Sequence, residues 1–185
     1  MRRTTYIAQA GVIAAVYAGT TVGVLQLPAQ LGWGLVQFRP SEALTVLALL
    51  TPAAIPGLTL GCVAANSFML TQLGPIALLD VVFGSGATLL GALWAWRNRR
   101  NVPLALAGPV VANALIVPAY LPMMLAGLGL YRVPFLGMDV EGAWLAMYGF
   151  GVLAVGLGEA IVVYGLGWPL LVAIRSRMGD VMRSR

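Results

Sequence analysis

The sequence has no histidine, no lysine and one cysteine, and charged residues make up only 9% of its 185 positions. Each scarcity excludes something. Without histidine there is no Cys–His or Ser–His catalytic pair, and a lone cysteine gives neither a disulfide framework nor a thiolate set for zinc. Cys62, behind Gly61 in an apolar run, reads as a small packing residue. Ser41, Ser67 and Ser85 lack the usual base of a hydrolytic nucleophile. The acids are not spaced as a metal motif and there is no Walker A sequence. The chain is therefore expected to be no enzyme, to hold no metal or cofactor, and to leave any ATP hydrolysis to partners. Ordinary soluble domains carry about 25% charged residues. At 9% charged, 60% hydrophobic and a mean hydropathy of +0.90, this chain cannot cover a water-facing surface. It reads as one integral membrane domain, 1–185, of all-α class.

What is present is a series of apolar segments, at about 6–27, 41–51, 55–73, 75–96, 103–128 and 143–174. The apolar stretch at the N-terminus has no A-x-A-like exit and is followed by more of its kind, so it is not read as a cleaved leader. A transmembrane helix needs about 20 residues. The second segment is too short to cross alone and must be tilted, extended or sheltered by its neighbours. The sixth carries glycines at 149, 151, 156, 158, 165 and 167, which predicts a bend or break. All 11 basic residues are arginine. Six spans put Arg2, Arg3, Arg97, Arg99, Arg100, Arg175, Arg177, Arg183 and Arg185 on one side, and Arg39 and Arg132 on the other. The positive-inside bias then predicts both termini in the cytoplasm. This placement in short clusters between spans, rather than a basic patch, argues against nucleic acid as a partner. Trp94, Trp96 and Trp168 stand beside the inner clusters, as interface anchors do.

Polar residues at bilayer depth are costly and usually face a cavity or a partner. Here they are Glu42, Asn66, Asp80, Asn113 and Glu159, with Gln37 and Arg39 just outside the second segment and Tyr120 in the outer half of the fifth. Different segments supply them, as expected of a pocket between helices that opens outward. Two plainer readings stand beside this one. Asn66 and Asn113 can simply bond between helices, and Arg39 and Glu42, three apart, can pair locally and cap the second segment with Ser41. Asp80 and Glu159 are harder to explain structurally. Carboxylates, amides and an arginine, with Trp33, Phe38, Phe83 or Tyr120 to stack, suit a small flat solute with several N–H donors. A purine-like base fits, and so do many amines. The first segment reads "AQAGVIAAVYAG", with Ala10, Ala14 and Ala18 on one helix face. Small residues at that spacing admit a close helix, within this chain or in a partner.

The runs "VQFRPSEALTVLALLTPAAIPGLTLGCVAAN" at 36–66, "GPIALLDVVFGSGATLLGAL" at 74–93 and "GLGEAIVVYGLGWPL" at 156–170 make the sequence resemble the QueT family. Those proteins are substrate-binding (S) components of energy-coupling-factor (ECF) transporters. The resemblance implies a bundle of six transmembrane helices with both ends cytoplasmic and a solute site on the outer side. It also implies a transmembrane coupling subunit, two cytoplasmic ATPases, and toppling of the whole S component in the bilayer. An alanine face on the first helix would meet the coupling subunit, matched here by Ala10, Ala14 and Ala18. The implied solutes are queuosine precursors: 7-deazaguanine bases, queuine or the nucleoside. On that reading Gln37, Arg39 and Glu42 form one wall of the pocket. Glu42 accepts from the guanine-like N–H groups, Arg39, Asn66 or Asn113 donates to the carbonyl, and Asp80 or Glu159 meets an amine. The outer loops between the first and second segments and between the fifth and sixth are expected to order over the solute. Two rivals remain: an S component for another vitamin or purine, and a small secondary transporter or channel running on Asp80 and Glu159.

Overall fold

The computed structural model describes residues 2–25, 39–127, 134–135, 138–139 and 144–183. Gln37, Trp33, Phe38 and most of the two outer loops lie outside the described residues. Six longer helices carry the fold: α1 (Arg3–Leu25), α2 (Ala54–Phe68), α3 (Ser85–Arg97), α4 (Val102–Gly127), α5 (Trp144–Ala160) and α6 (Trp168–Arg183). A two-residue antiparallel pair, β1 (Pro134–Phe135) with β2 (Met138–Asp139), is the exception to helix among the described elements.

Four stretches are long and apolar enough to cross a membrane: Arg3–Val24, Ala54–Ala77, Val102–Met124 and Trp144–Met178. The second and fourth expected segments are the short ones. The second forms a 3₁₀ helix, Pro40–Leu49, with proline at its start. Ten residues cover about 15 Å as α-helix but about 20 Å as 3₁₀. The tighter coil thus recovers length that composition denies. Seven of its ten residues are buried, including Ser41, Glu42 and Thr45. It lies inside the bundle, against α1, α3 and the segment 161–167, sheltered as its length requires. The fourth expected segment is not one continuous α-helix. After the α-turn Leu70–Leu73, Gly74 takes φ +66°, which L side chains rarely adopt, and the chain turns there. A 3₁₀ turn (Gly74–Ala77) and a π turn (Asp80–Gly84) then lead into α3.

The break expected in the sixth segment is a second π turn, Ile161–Gly167. Gly167 is where the 3₁₀ helix approaches closest, since a Cβ there would meet Val46 Cγ1 at 2.9 Å and the Ala43 carbonyl at 3.1 Å. The core at this level is Tyr17, Val46, Leu58, Leu106, Val163 and Leu171, all essentially sealed from the surroundings. Gln9 bonds Thr51 (3.0 Å) and Tyr164 bonds the Pro103 carbonyl (2.8 Å). The first contact joins α1 to the turn before α2, and the second joins this π turn to the start of α4, at the end of the bundle that carries the α3–α4 turn.

Candidate functional site

At the other end, apolar helices bury a set of polar groups. Arg39 is the residue before the 3₁₀ helix and is extended, at φ −106° and ψ 93°. That backbone sends its side chain away from Glu42, three residues on. It pairs instead with Asp80, Nη2 to Oδ2 at 3.0 Å, across 41 residues of sequence. The local Arg39–Glu42 capping pair does not form. The other Asp80 oxygen accepts from the Tyr120 hydroxyl at 2.5 Å, and Asn66 Nδ2 donates to the Asp80 carbonyl at 2.8 Å. Phe83 lies beside Tyr120, ring centroids 5.9 Å apart. Both carboxylate oxygens of Asp80 thus have partners inside the protein, with Arg39 as the countercharge.

Glu42 is different. Tyr17, from α1, donates its hydroxyl to Oε1. Oε2 is buried with no partner among the described residues, and so are Arg39 Nε and Ser85 Oγ. Beside them, Thr21 donates to the Ser41 hydroxyl at 2.7 Å, tying α1 to the start of the 3₁₀ helix. Glu159, at the end of α5, accepts from Asn113 Nδ2 of α4 at 3.1 Å. Asn113 and Glu159 thus form a buried pair between α4 and α5, as Tyr17 and Glu42 do between α1 and the 3₁₀ helix. Asp80 opens one π turn and Glu159 stands two residues before the other. Such turns are rare and recur at functional sites, where they re-aim side chains.

The structure thus brings together Arg39, Glu42, Asn66, Asp80, Asn113, Tyr120 and Glu159, and Gln37 lies outside the described residues. It adds three residues that the sequence did not single out for the site. Tyr17 holds Glu42. Ser85 offers an unpaired hydroxyl. Gly84 makes room: a Cβ there would press on the Asp80 carboxylate, reach Tyr120 Oη at 3.0 Å and Asn66 Nδ2 at 3.1 Å. No group of three or more metal-ligating side chains is gathered among the described residues.

Of the alanines assigned to a partner, Ala10 is buried and Ala14 and Ala18 are half-buried. A Cβ on Gly57 would meet the Ala10 carbonyl at 2.9 Å, and one on Gly61 would meet that of Ala14 at 2.8 Å. The Ala10–Ala14 edge is thus the seam between α1 and α2. The face left open carries Gly11, Ala15, Gly19 and Gly23, and nothing approaches its glycines.

No curated protein and no solved structure matches this chain. A family model does: the one described as QueT transporter matches residues 7–176. A match of that extent, over helices that bury such a polar cluster, shows that this chain belongs to the QueT transporter family.

Proposed function

We propose that this transporter-family protein is the membrane-embedded solute-binding subunit of an ECF-type importer, and that its solute is a queuosine precursor with a guanine-like edge. The observation that carries the reading is the set of buried polar atoms left without a partner among the described residues, Glu42 Oε2, Arg39 Nε and Ser85 Oγ. Burying such groups unpaired costs about 1–3 kcal/mol each, so a solute that satisfies them gains specificity as well as affinity. A guanine-type edge offers what they lack: N1–H and 2-amino donors for Glu42, and a carbonyl acceptor for Arg39 Nε. Glu159 is left for an amine on the ligand, since Asp80 is already paired. The same pairing of Asp80 weakens the rival in which Asp80 and Glu159 relay protons or cations.

On this reading both termini are cytoplasmic, the polar cluster faces outward, and the subunit topples when coupled to its ATP-driven partners. The coupling subunit docks on α1 through the open Gly11, Ala15, Gly19 and Gly23 face, one helix edge away from the Ala10, Ala14 and Ala18 edge. A groove of about 350 Å³ lined by Ala8, Gln9, Val12, Leu47 and Thr51 continues that face toward the arginine end. The test is thermal stability of the purified protein, titrated with 7-deazaguanines, queuine, queuosine, guanine and unrelated vitamins. A ligand of the folded form raises stability by RT ln(1 + [L]/Kd). A shift with a deazapurine and none with thiamine or riboflavin is expected. A shift with an unrelated vitamin alone would reassign the solute and leave the fold unchanged.

A further inference from the structure

The α3–α4 hairpin carries a feature that solute binding does not use. Leu90 and Trp94 of α3 and Ala107, Gly108, Val111, Ala112 and Leu115 of α4 enclose an apolar groove of about 340 Å³ on the outer surface of the bundle. It runs about 12 Å along α4, from Ala107 to Leu115. One wall is fixed. The Trp94 ring lies on Gly108, where any Cβ would collide with it, and its indole N–H donates to the Leu104 carbonyl at 2.8 Å. The groove ends one helical turn from the loop that carries Arg97, Arg99 and Arg100, all exposed. Arg99 lies over the Trp96 ring at 4.0 Å and donates to the Trp96 carbonyl at 3.0 Å. Among the described residues none of the three arginines pairs with a carboxylate, since the ion pair formed is Arg39–Asp80. An apolar slot at hydrocarbon depth beneath unpaired guanidinium groups at the interface matches one chemistry. It is an acyl chain joined to a phosphate, which arginine binds through paired N–H donors.

We propose that the α3–α4 groove and Arg97, Arg99 and Arg100 form a binding site for one anionic phospholipid, with an acyl chain along Trp94, Gly108 and Ala112 and the phosphate on the arginines. The inference is independent of the identity of the solute. The full chain is reconstituted in phosphatidylcholine vesicles containing a minor share of phosphatidylglycerol, extracted gently, and its retained lipids are counted by native mass spectrometry. One phosphatidylglycerol per chain is expected, enriched about tenfold or more over its share of the bilayer. Arg97→Gln/Arg99→Gln/Arg100→Gln and the groove-filling Ala112→Phe each remove that enrichment. Arg175→Gln/Arg177→Gln, which takes charge from another helix at the same end, retains it. Circular dichroism and monodisperse elution confirm folding, and Arg100→Gln with Ala112→Phe carries the test if the triple variant does not fold. Retained lipid that mirrors the bilayer overturns the proposal. So does unchanged retention in Ala112→Phe, or equal loss in Arg175→Gln/Arg177→Gln, which would reduce the effect to net charge.

Discussion

Asp80 and Glu42 are both buried carboxylates, yet their surroundings differ. Asp80 has each oxygen engaged, by Arg39 and Tyr120, and its backbone held by Asn66. Glu42 has one oxygen held by Tyr17 and the other unpaired. A completed ion pair fixes architecture, and a half-completed carboxylate has binding capacity left over. The arrangement divides the labour: the Asp80 side positions Arg39, and the Glu42 side, with Arg39 Nε and Ser85, presents the unmatched donors and acceptors.

That contrast is broken most severely at Asp80. Asp80→Asn takes the counter-ion from the part-buried Arg39 guanidinium, a loss of about 1.5–3 kcal/mol. It should appear as a large fall in melting temperature before any ligand is added. Gly84→Ala acts on the same side by crowding. Its methyl group separates Asp80 from Tyr120, costs about 1–3 kcal/mol of stability, and weakens solute binding along with it. Calorimetric melting and ligand titration of one preparation read both losses.

On the Glu42 side the order reverses. Glu42→Gln should weaken solute binding by about 1–3 kcal/mol while the melting temperature without ligand stays near that of the parent, because no ion pair is lost. Unchanged affinity in that variant removes Glu42 from the site. Tyr17→Phe frees Oε1 and removes one hydrogen bond, worth about 1 kcal/mol in affinity or stability. Smallest for the isolated subunit is Ala15→Leu on the open face of α1. It leaves melting and solute binding unchanged and abolishes co-purification with a coupling subunit. Retained co-purification would move the docking face elsewhere.

The polar residues of the buried cluster were legible because charge and amide groups in apolar runs are too costly to be incidental. Arg39, Glu42, Asn66, Asp80, Asn113 and Glu159 stand out on that ground, and Tyr120 only by its depth in the fifth segment. Their pairing was not legible. Arg39 and Glu42 are three apart, which suggests a local pair. The extended backbone at Arg39 instead turns it to a residue 41 positions on, a choice made by tertiary packing. Tyr17 carried no signal, since a tyrosine in an apolar helix is ordinary until a carboxylate is placed against it. Gly84 and Ser85 came next to Asp80 only through the π turn, which Gly84 ends and Ser85 follows. Of the fold, the short second segment was evident from its length, and its 3₁₀ geometry was not. The alanine spacing of α1 announced a close helix contact without naming the neighbour. The missing clue was Gly57 and Gly61, four apart on α2, the complementary half of the seam.

Whether Glu42 is the carboxylate that reads the solute is decided by calorimetric titration of the parent and Glu42→Gln with a 7-deazaguanine base and with the same base lacking its 2-amino group. If Glu42 accepts from that amino group, deleting it weakens binding to the parent and has little effect on Glu42→Gln, a coupling of about 1–3 kcal/mol. An equal penalty in both proteins, with no coupling, would contradict the account and place the solute's donor edge elsewhere in the cluster.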